Sequence, residues 1–318
     1  MTPPARVLFA ALITVGVVWG ITMPMSKLVV DGGYRHFGII FWQLVVCSAL
    51  LGGALIVQGR GLPVTPAALG RYVFIALFGT ILPNAGSYIA QEGLPSGLVS
   101  VCFALIPMMA LPLALVAGIE RPNLARLLGL VAGMVGILLI VVPEASLPDR
   151  AALIFLPFAL ASALCYAVEA TGLGKFGAGG LDPVQLLAGA SLVGIPLSLP
   201  PAVLTGAWIW PGQGGLSLDV LMIGVAVIHT VAYTGYVWIV GHGGAVFGAQ
   251  VSYLVTGSAV VWSMLLLGER YSIWVWAAIA VVFIGLFLVQ PRPRGKDGES
   301  LVPHPDPAKI GADERQVS

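Results

Sequence analysis

The chain carries a long internal repeat, which restricts its fold to two copies of one unit. Gly118-Ile119-Glu120-Arg121, near the middle, returns as Leu267-Gly268-Glu269-Arg270 near the end, an offset of 149 residues (120 to 269). Each copy closes one long apolar segment and precedes another. At the same offset Gly136-Ile137-Leu138-Leu139 falls on Gly285-Leu286-Phe287-Leu288, and Gly86-Ser87 falls on Gly235-Tyr236. Two equivalent apolar bundles are the simplest reading of such a pattern.

The segments between these motifs are too apolar for a water-soluble domain. Of the 318 residues 58% are hydrophobic and only 9% charged, with a mean hydropathy of +0.98, which places the chain in lipid. A helix needs about 20 apolar residues to cross the hydrocarbon core. Gly, Pro and charge clusters divide the sequence into ten such stretches: 7–30, 37–58, 71–91, 97–118, 123–143, 151–174, 183–205, 219–241, 245–267 and 272–290. The turn chemistry between them includes Asp31-Gly32-Gly33, Gly59-Arg60-Gly61 and Trp210-Pro211-Gly212. Ten spans make two sets of five, residues 7–143 and 151–290. Residues 291–318, rich in proline and charge and without apolar periodicity, are expected to form a disordered cytoplasmic tail.

Lysine and arginine in the short loops set the expected orientation. With the N-terminus inside, nine of them lie on the inner side (Arg6, Arg60, Arg71, Arg121, Arg126, Lys175, Arg292, Arg294 and Lys296) and four on the outer (Lys27, Arg35, Arg150 and Arg270). Both termini are therefore expected in the cytoplasm. Because five is odd, the second set enters from the opposite face, so the expected fold is an all-α membrane protein of two inverted five-helix repeats. Trp208, Trp210, Trp274 and Trp276 fall at outer span ends, where an indole ring sits well at headgroup level. The three cysteines, Cys47, Cys102 and Cys165, lie in apolar stretches without metal-ligand spacing and read as packing residues. Arg6 followed by an apolar run resembles a signal peptide, but no cleavage pattern follows, and the run reads as a retained first span.

With the repeat, the ten spans and the closing motifs together, the chain resembles the EamA-type branch of the drug/metabolite transporter superfamily over about residues 7–290. The motifs that carry the resemblance are Trp19-Gly20 followed by Lys27, Leu105-Ile106-Pro107 in the fourth span, and Glu120-Arg121 and Leu267-Gly268-Glu269-Arg270, each followed by a span with a late glycine, Gly136 or Gly285. It departs from the family's pattern at Phe41-Trp42-Gln43, at Thr256 where the fourth span has Pro107, and at Tyr166-Ala167 where Trp19-Gly20 should be echoed. The resemblance implies a ten-helix transporter of the bacterial inner membrane. It also implies amino acids, related metabolites or drugs as cargo, usually exported.

Polar groups within spans must face a partner or water. Asn84, Ser87, Tyr88 and Gln91 recur at helical spacing on one face of the third span, and His229, Tyr233 and Tyr236, with Trp238 nearby, on one face of the eighth. The repeat offset maps Asn84 onto Tyr233 and Ser87 onto Tyr236. The matched faces predict one central cavity; each residue alone reads equally well as hydrogen-bonded glue between helices, worth about 0.6 kcal/mol. Trp19 and Met23 from the first span and Tyr166 from the sixth complete the expected lining. Glu169 is the one acid well inside a span, and it and His229 are candidates for proton coupling. Lys27 reads either as an anchor for an anionic group or as a side chain reaching the headgroups. Pro107 and Pro112, flanking Met108-Met109, mark the fourth span as a mobile, gating element, whereas Gly129, Gly133 and Gly136 read as close-packing spacing. The Glu-Arg pairs read as loop residues that position the start of the next helix.

No Walker loop is present, so any drive must come from a gradient. The four histidines, His36, His229, His242 and His304, are scattered without ligand spacing. Neither metal, cofactor nor nucleic-acid partner is expected; the expected partners are the lipid bilayer and a small-molecule substrate, with the chain acting as monomer or homodimer. The reading favours a secondary transporter over a membrane-embedded enzyme, which would want paired carboxylates or clustered ligands. A passive channel also needs a polar path and remains open, as do drug and sugar-phosphate or nucleotide-sugar transport within the family.

Overall fold

The computed structural model describes residues 4–120, 123–143, 149–243, 245–248 and 250–289; the expected tail and Arg121 lie outside them. The described residues form helices joined by short turns. The first span is α1 (Ala5–Gly20) and α2 (Thr22–Asp31), the second α3 (His36–Val57), and the third α4 (Pro66–Ile75), a π-helical turn (Ala76–Ile81) and α5 (Leu82–Gly93). The fourth is α6 (Ser96–Phe103) and α7 (Ile106–Val116), the fifth α8 (Leu124–Val141). A 3₁₀ turn (Arg150–Phe155) leads into α9 (Leu156–Phe176), followed by α10 (Pro183–Leu204) and α11 (Leu216–Gly243). Short α12 (Ala245–Gly248) precedes α13 (Val251–Leu267) in the ninth span, and α14 (Ile273–Val289) is the tenth. Eight of these segments are long and apolar enough to span a bilayer by themselves, and the last two are shorter apolar helices.

Helix ends follow the local chemistry. The Thr65 side chain accepts from the Ala68 amide, with Pro66 in the first turn, so the third span begins a turn earlier than its apolar run suggests. Asp182 and Gln185 form a reciprocal capping box at the start of α10. The breaks inside spans precede prolines, whose missing N–H leaves the carbonyl four residues back without its helical donor. Pro24 follows the break at Ile21, Pro83 follows the π turn, and Pro107 follows the break at Ala104 and Leu105. Pro112, by contrast, lies inside an unbroken α7, and Pro196 inside an unbroken α10. Of the two prolines expected to soften the fourth span, only Pro107 coincides with a break.

The packing follows the repeat. α3 packs on α10 and α8 on α14, each helix against its repeat partner. α1 packs on α13 and α11, and in the same way α9 packs on α6, α7 and α5. Exchanging the halves leaves this set of neighbours unchanged, as a two-fold axis between them requires; with five spans per half the repeats are inverted in the membrane. Glycines permit the closest approaches. A Cβ on Gly129 would stand 2.7 Å from the Gly285 carbonyl, and one on Gly136 would stand 2.5 Å from Val282. The fourth, fifth, ninth and tenth spans share the largest buried cluster, which includes Leu98, Met108, Ile140, Val260, Val282 and Leu286.

On the face opposite the N-terminus, loops close over the bundle. The Tyr34 hydroxyl donates to Asp219, whose second oxygen accepts from the Gly212 amide, while the Gly214 amide donates to the Tyr34 oxygen at 3.1 Å. Burial, and then the Asp219 carboxylate, raise the Tyr34 hydroxyl above its ordinary value. Tyr34→Phe deprives a buried carboxylate of its hydroxyl donor. It is expected to cost about 1–3 kcal/mol, measurable as a lower unfolding temperature in detergent.

Candidate functional site

The polar face of the third span is assembled as a hydrogen-bonded cluster around Gln43 of α3. Gln43 Oε1 accepts from Asn84 Nδ2 at 3.2 Å and from the Tyr88 hydroxyl at 3.0 Å. From α9 the Tyr166 hydroxyl donates to Asn84 Oδ1 at 3.0 Å, so Asn84 bridges the two halves. The approach of α9 depends on Gly86, where a Cβ would stand 2.7 Å from the Phe158 carbonyl, and on Ser162, which donates to the Pro83 carbonyl at 2.6 Å. That last bond uses the α5 end of the π turn, next to the backbone that proline leaves irregular. Ser87 and Gln91 continue the same face but turn toward α2: Gln91 Nε2 lies 3.5 Å from Ser87 Oγ, and Ser26 donates to Gln91 Oε1 at 3.0 Å.

The matching face of the eighth span meets the first. Trp19 Nε1 donates to His229 Nδ1 at 3.2 Å, and the Trp19 ring lies 6.4 Å from Tyr233 and 6.2 Å from Tyr236, with the two tyrosine rings 6.3 Å apart. Accepting at Nδ1 makes His229 the neutral tautomer with its hydrogen on Nε2. The His229 ring thus serves here as an acceptor for Trp19. Two arrangements therefore correspond across the halves: an aromatic side chain of the first span reaches the polar face of the eighth, and one of the sixth reaches that of the third.

Several expected residues stand elsewhere. Trp238 is 38% exposed and stacks on His242 at 4.6 Å, away from the Trp19 group. Two residues beyond Tyr236 is about 200° around the helix, so the nearness in sequence was misleading. Met23 is buried in the large apolar cluster. The Lys27 ammonium pairs with Asp31 and donates to the Gln91 carbonyl. Glu269 does more than position the tenth span. Its carboxylate accepts from the Ser96 amide at 2.7 Å, the Ser96 hydroxyl at 2.9 Å and the Gly97 amide at 3.1 Å, capping α6 of the other half. Glu120 pairs with Arg126.

Glu169 lies one turn beyond Tyr166 on α9. It is seated over Gly79 in the π turn, where a Cβ would lie 2.2 Å from its Oε1. Among the described residues no hydrogen bond or ion pair reaches its carboxylate. One turn further along α9, Phe74 lies against Gly172, where a Cβ would be 2.5 Å from the ring. Both residues wall a crevice of about 280 Å³ between α4 and the end of α9, together with Ala67, Arg71, Leu173 and Phe176.

Gln43 and Ser26 went unrecognised in the sequence as members of these clusters. Gln43 had a signal, being an amide in an otherwise apolar stretch, but only packing reveals that it faces Asn84 and Tyr88.

An all-helical bundle of two inverted repeats, with matched polar faces at their interface, defines a multi-pass membrane transporter fold. The sequence profile described as the EamA-like transporter family matches residues 7–142 and again 153–290. The chain belongs to that family. Among curated proteins no sequence matches. One solved structure, described as the crystal structure of a protein, aligns over 88% of this chain and 96% of its own with a TM-score of 0.57 at 18% identity, a likeness of fold.

Proposed function

We propose that this protein is a secondary active transporter that exports amino acids or related small amphipathic metabolites by alternating access. The substrate binds between the Trp19, Tyr233 and Tyr236 group and the Tyr166–Asn84 pair. The observation that carries this reading is the correspondence of the two polar-aromatic arrangements across the halves. A site shared by symmetric halves is exposed to one side and then the other as the halves rock. The break before Pro107 supplies a place for the fourth span to bend. The excess of lysine and arginine in the loops on the N-terminal side orients the chain with both termini in the cytoplasm of a bacterial cell. Sugar phosphates rank below amines and zwitterions, because Lys27, the cation expected to approach the site, is already paired with Asp31.

Glu169 carries the coupling proton. A carboxylate at such depth is costly when ionised and unpaired, and Gly79 of the π turn packs directly against it. The test is transport in proteoliposomes. Internal unlabelled solute accelerates uptake of labelled solute in a carrier, and absence of acceleration indicates a pore. Glu169→Gln is expected to make uptake indifferent to an imposed pH gradient; uptake that still follows the gradient in this variant removes Glu169 from the coupling.

A further inference from the structure

Where α4 begins and α9 finishes, the cations are only partly neutralised. Arg60 pairs with Asp182, but among the described residues neither Arg71 nor Lys175 has a carboxylate partner. Backbone carbonyls hold Arg71 instead. Its Nε donates to Gly177 at 3.1 Å and Nη2 to Phe176 at 3.5 Å, both at the C-terminal end of α9, while Nη1 donates to Ala67 one turn back in α4 at 3.0 Å. A guanidinium has five N–H donors, so these three bonds leave one unspent N–H on each Nη. Gly179 permits the pose: its φ is +64°, and a Cβ there would stand 2.4 Å from Arg71 Cζ. The Lys175 ammonium lies 5.9 Å from the centre of the Phe176 ring.

Arg71 and Phe176 are also walls of the crevice of about 280 Å³ between the two helices. Because α4 opens the third span, its side of the crevice runs from Ala67 near the membrane surface to Phe74, seven residues deeper, about 10 Å along the axis. Apart from Arg71 the walls are apolar, with Phe74 and Leu173 inside and Phe176 at the rim. Phe176 is 72% exposed and Ala67 is exposed as well, so the crevice opens outward at the edge of the bilayer. A cationic mouth over an apolar cleft is complementary to a molecule with an anionic head and a hydrocarbon chain. Paired guanidinium N–H groups suit a phosphate, and cations at this level attract anionic lipids. A zwitterionic lipid carries its own ammonium toward the same cations and is opposed by them.

We infer that this crevice is a binding site for an anionic phospholipid, with the phosphate on the two unspent Arg71 N–H groups and part of one acyl chain between α4 and α9. Lys175 adds a second positive charge beside the mouth. Since α4 belongs to the first half and α9 to the second, one lipid bridges the halves and stabilises the arrangement in which they meet at this end. None of the residues proposed to hold the substrate lines the crevice, so the inference does not depend on that reading.

The test is binding to the purified full chain in detergent, read by native mass spectrometry and as thermal stabilisation. The probes are dioleoylphosphatidylglycerol and dioleoylphosphatidylcholine, alike in their chains and different in charge, and glycerol 3-phosphate, which has the phosphate without the chains. The anionic lipid is expected to bind at least about tenfold more tightly than the zwitterionic one, and glycerol 3-phosphate not to stabilise the protein at all. Lys175→Gln is expected to lower the ratio and Arg71→Gln to abolish it. Gly70 lines the same crevice, and a Cβ there meets nothing within 4 Å. Gly70→Leu therefore fills the crevice without displacing a neighbour, and is expected to abolish the preference while the protein stays folded. Equal binding of the two lipids by the unaltered protein overturns the inference, as does a preference that survives in Gly70→Leu. Stabilisation by glycerol 3-phosphate equal to that by the anionic lipid also overturns it, in favour of a site for a soluble anion. Should Arg71→Gln fail to fold, the ratio in the unaltered protein and in Gly70→Leu still decides.

Discussion

Glu269→Ala is expected to destabilise the protein by about 3 kcal/mol, lowering its unfolding temperature in detergent more than loss of any exposed ion pair. The carboxylate caps α6 through two amides and the Ser96 hydroxyl, and Ser96 is fully buried, with its oxygen 2.7 Å from that of Ser263. Removing the acceptor leaves the two amides without one and the Ser96 hydroxyl with Ser263 alone. Glu269→Gln, which keeps one acceptor oxygen, is expected to recover part of the loss. Tyr271 adds a pH signature because its hydroxyl donates to the same carboxylate. Burial first, and the Glu269 carboxylate second, hold Tyr271 well above the ordinary tyrosine value of 10.0. In the unfolded chain Tyr271 loses its proton near that ordinary value, whereas in the folded protein it keeps it. Its contribution is therefore complete below about pH 10 and is lost as pH rises beyond. Tyr271→Phe is expected to flatten this alkaline decline; a decline unchanged in that variant places its cause elsewhere.

Gly20→Ala is expected to impair both the fold and transport. A Cβ on Gly20 would stand 2.1 Å from Ser258 Oγ, 2.8 Å from the Ala259 nitrogen and 2.9 Å from the Val255 carbonyl. The hydroxyl can turn away, but the two backbone atoms cannot, so α1 must separate from α13. Overpacking of this kind costs about 1–3 kcal/mol. The neighbouring residue is Trp19, and any shift of α1 pulls its indole off His229 and out of register with Tyr233 and Tyr236. Uptake is expected to fall further than stability alone accounts for. Gly52→Ala, in α3 with open space around it, is the control, expected to be neutral or slightly stabilising through helix propensity. Equal behaviour of the two variants would sink the prediction.

The repeat, the spans and their punctuation are legible in the sequence because each depends on local chemistry. Apolar length is enough to make a span, and Thr65, Asn123 and Asp182 cap helices through neighbours only a few residues away. Helical spacing likewise places Asn84 and Tyr88 on one face and Tyr233 with Tyr236 on another. The same reasoning misassigned Trp238, where nearness in sequence was taken for nearness in space. It also missed Gln43, whose two donors lie 41 and 45 residues away.

By itself, then, the sequence determined a helical membrane chain of two inverted halves, since hydrophobic period and repeat offset are written along the chain. The tertiary structure decided which charges are spent and which are free. Lys27 meets Asp31 within one helix, but Glu269 caps a helix of the other half, 173 residues away from Ser96. Glu169 is left over Gly79 and, among the described residues, has no hydrogen-bond or ion-pair partner. Pairing is a property of distance in space, and folding brings an acid to its donor, or leaves it open to a ligand, without regard to separation along the chain.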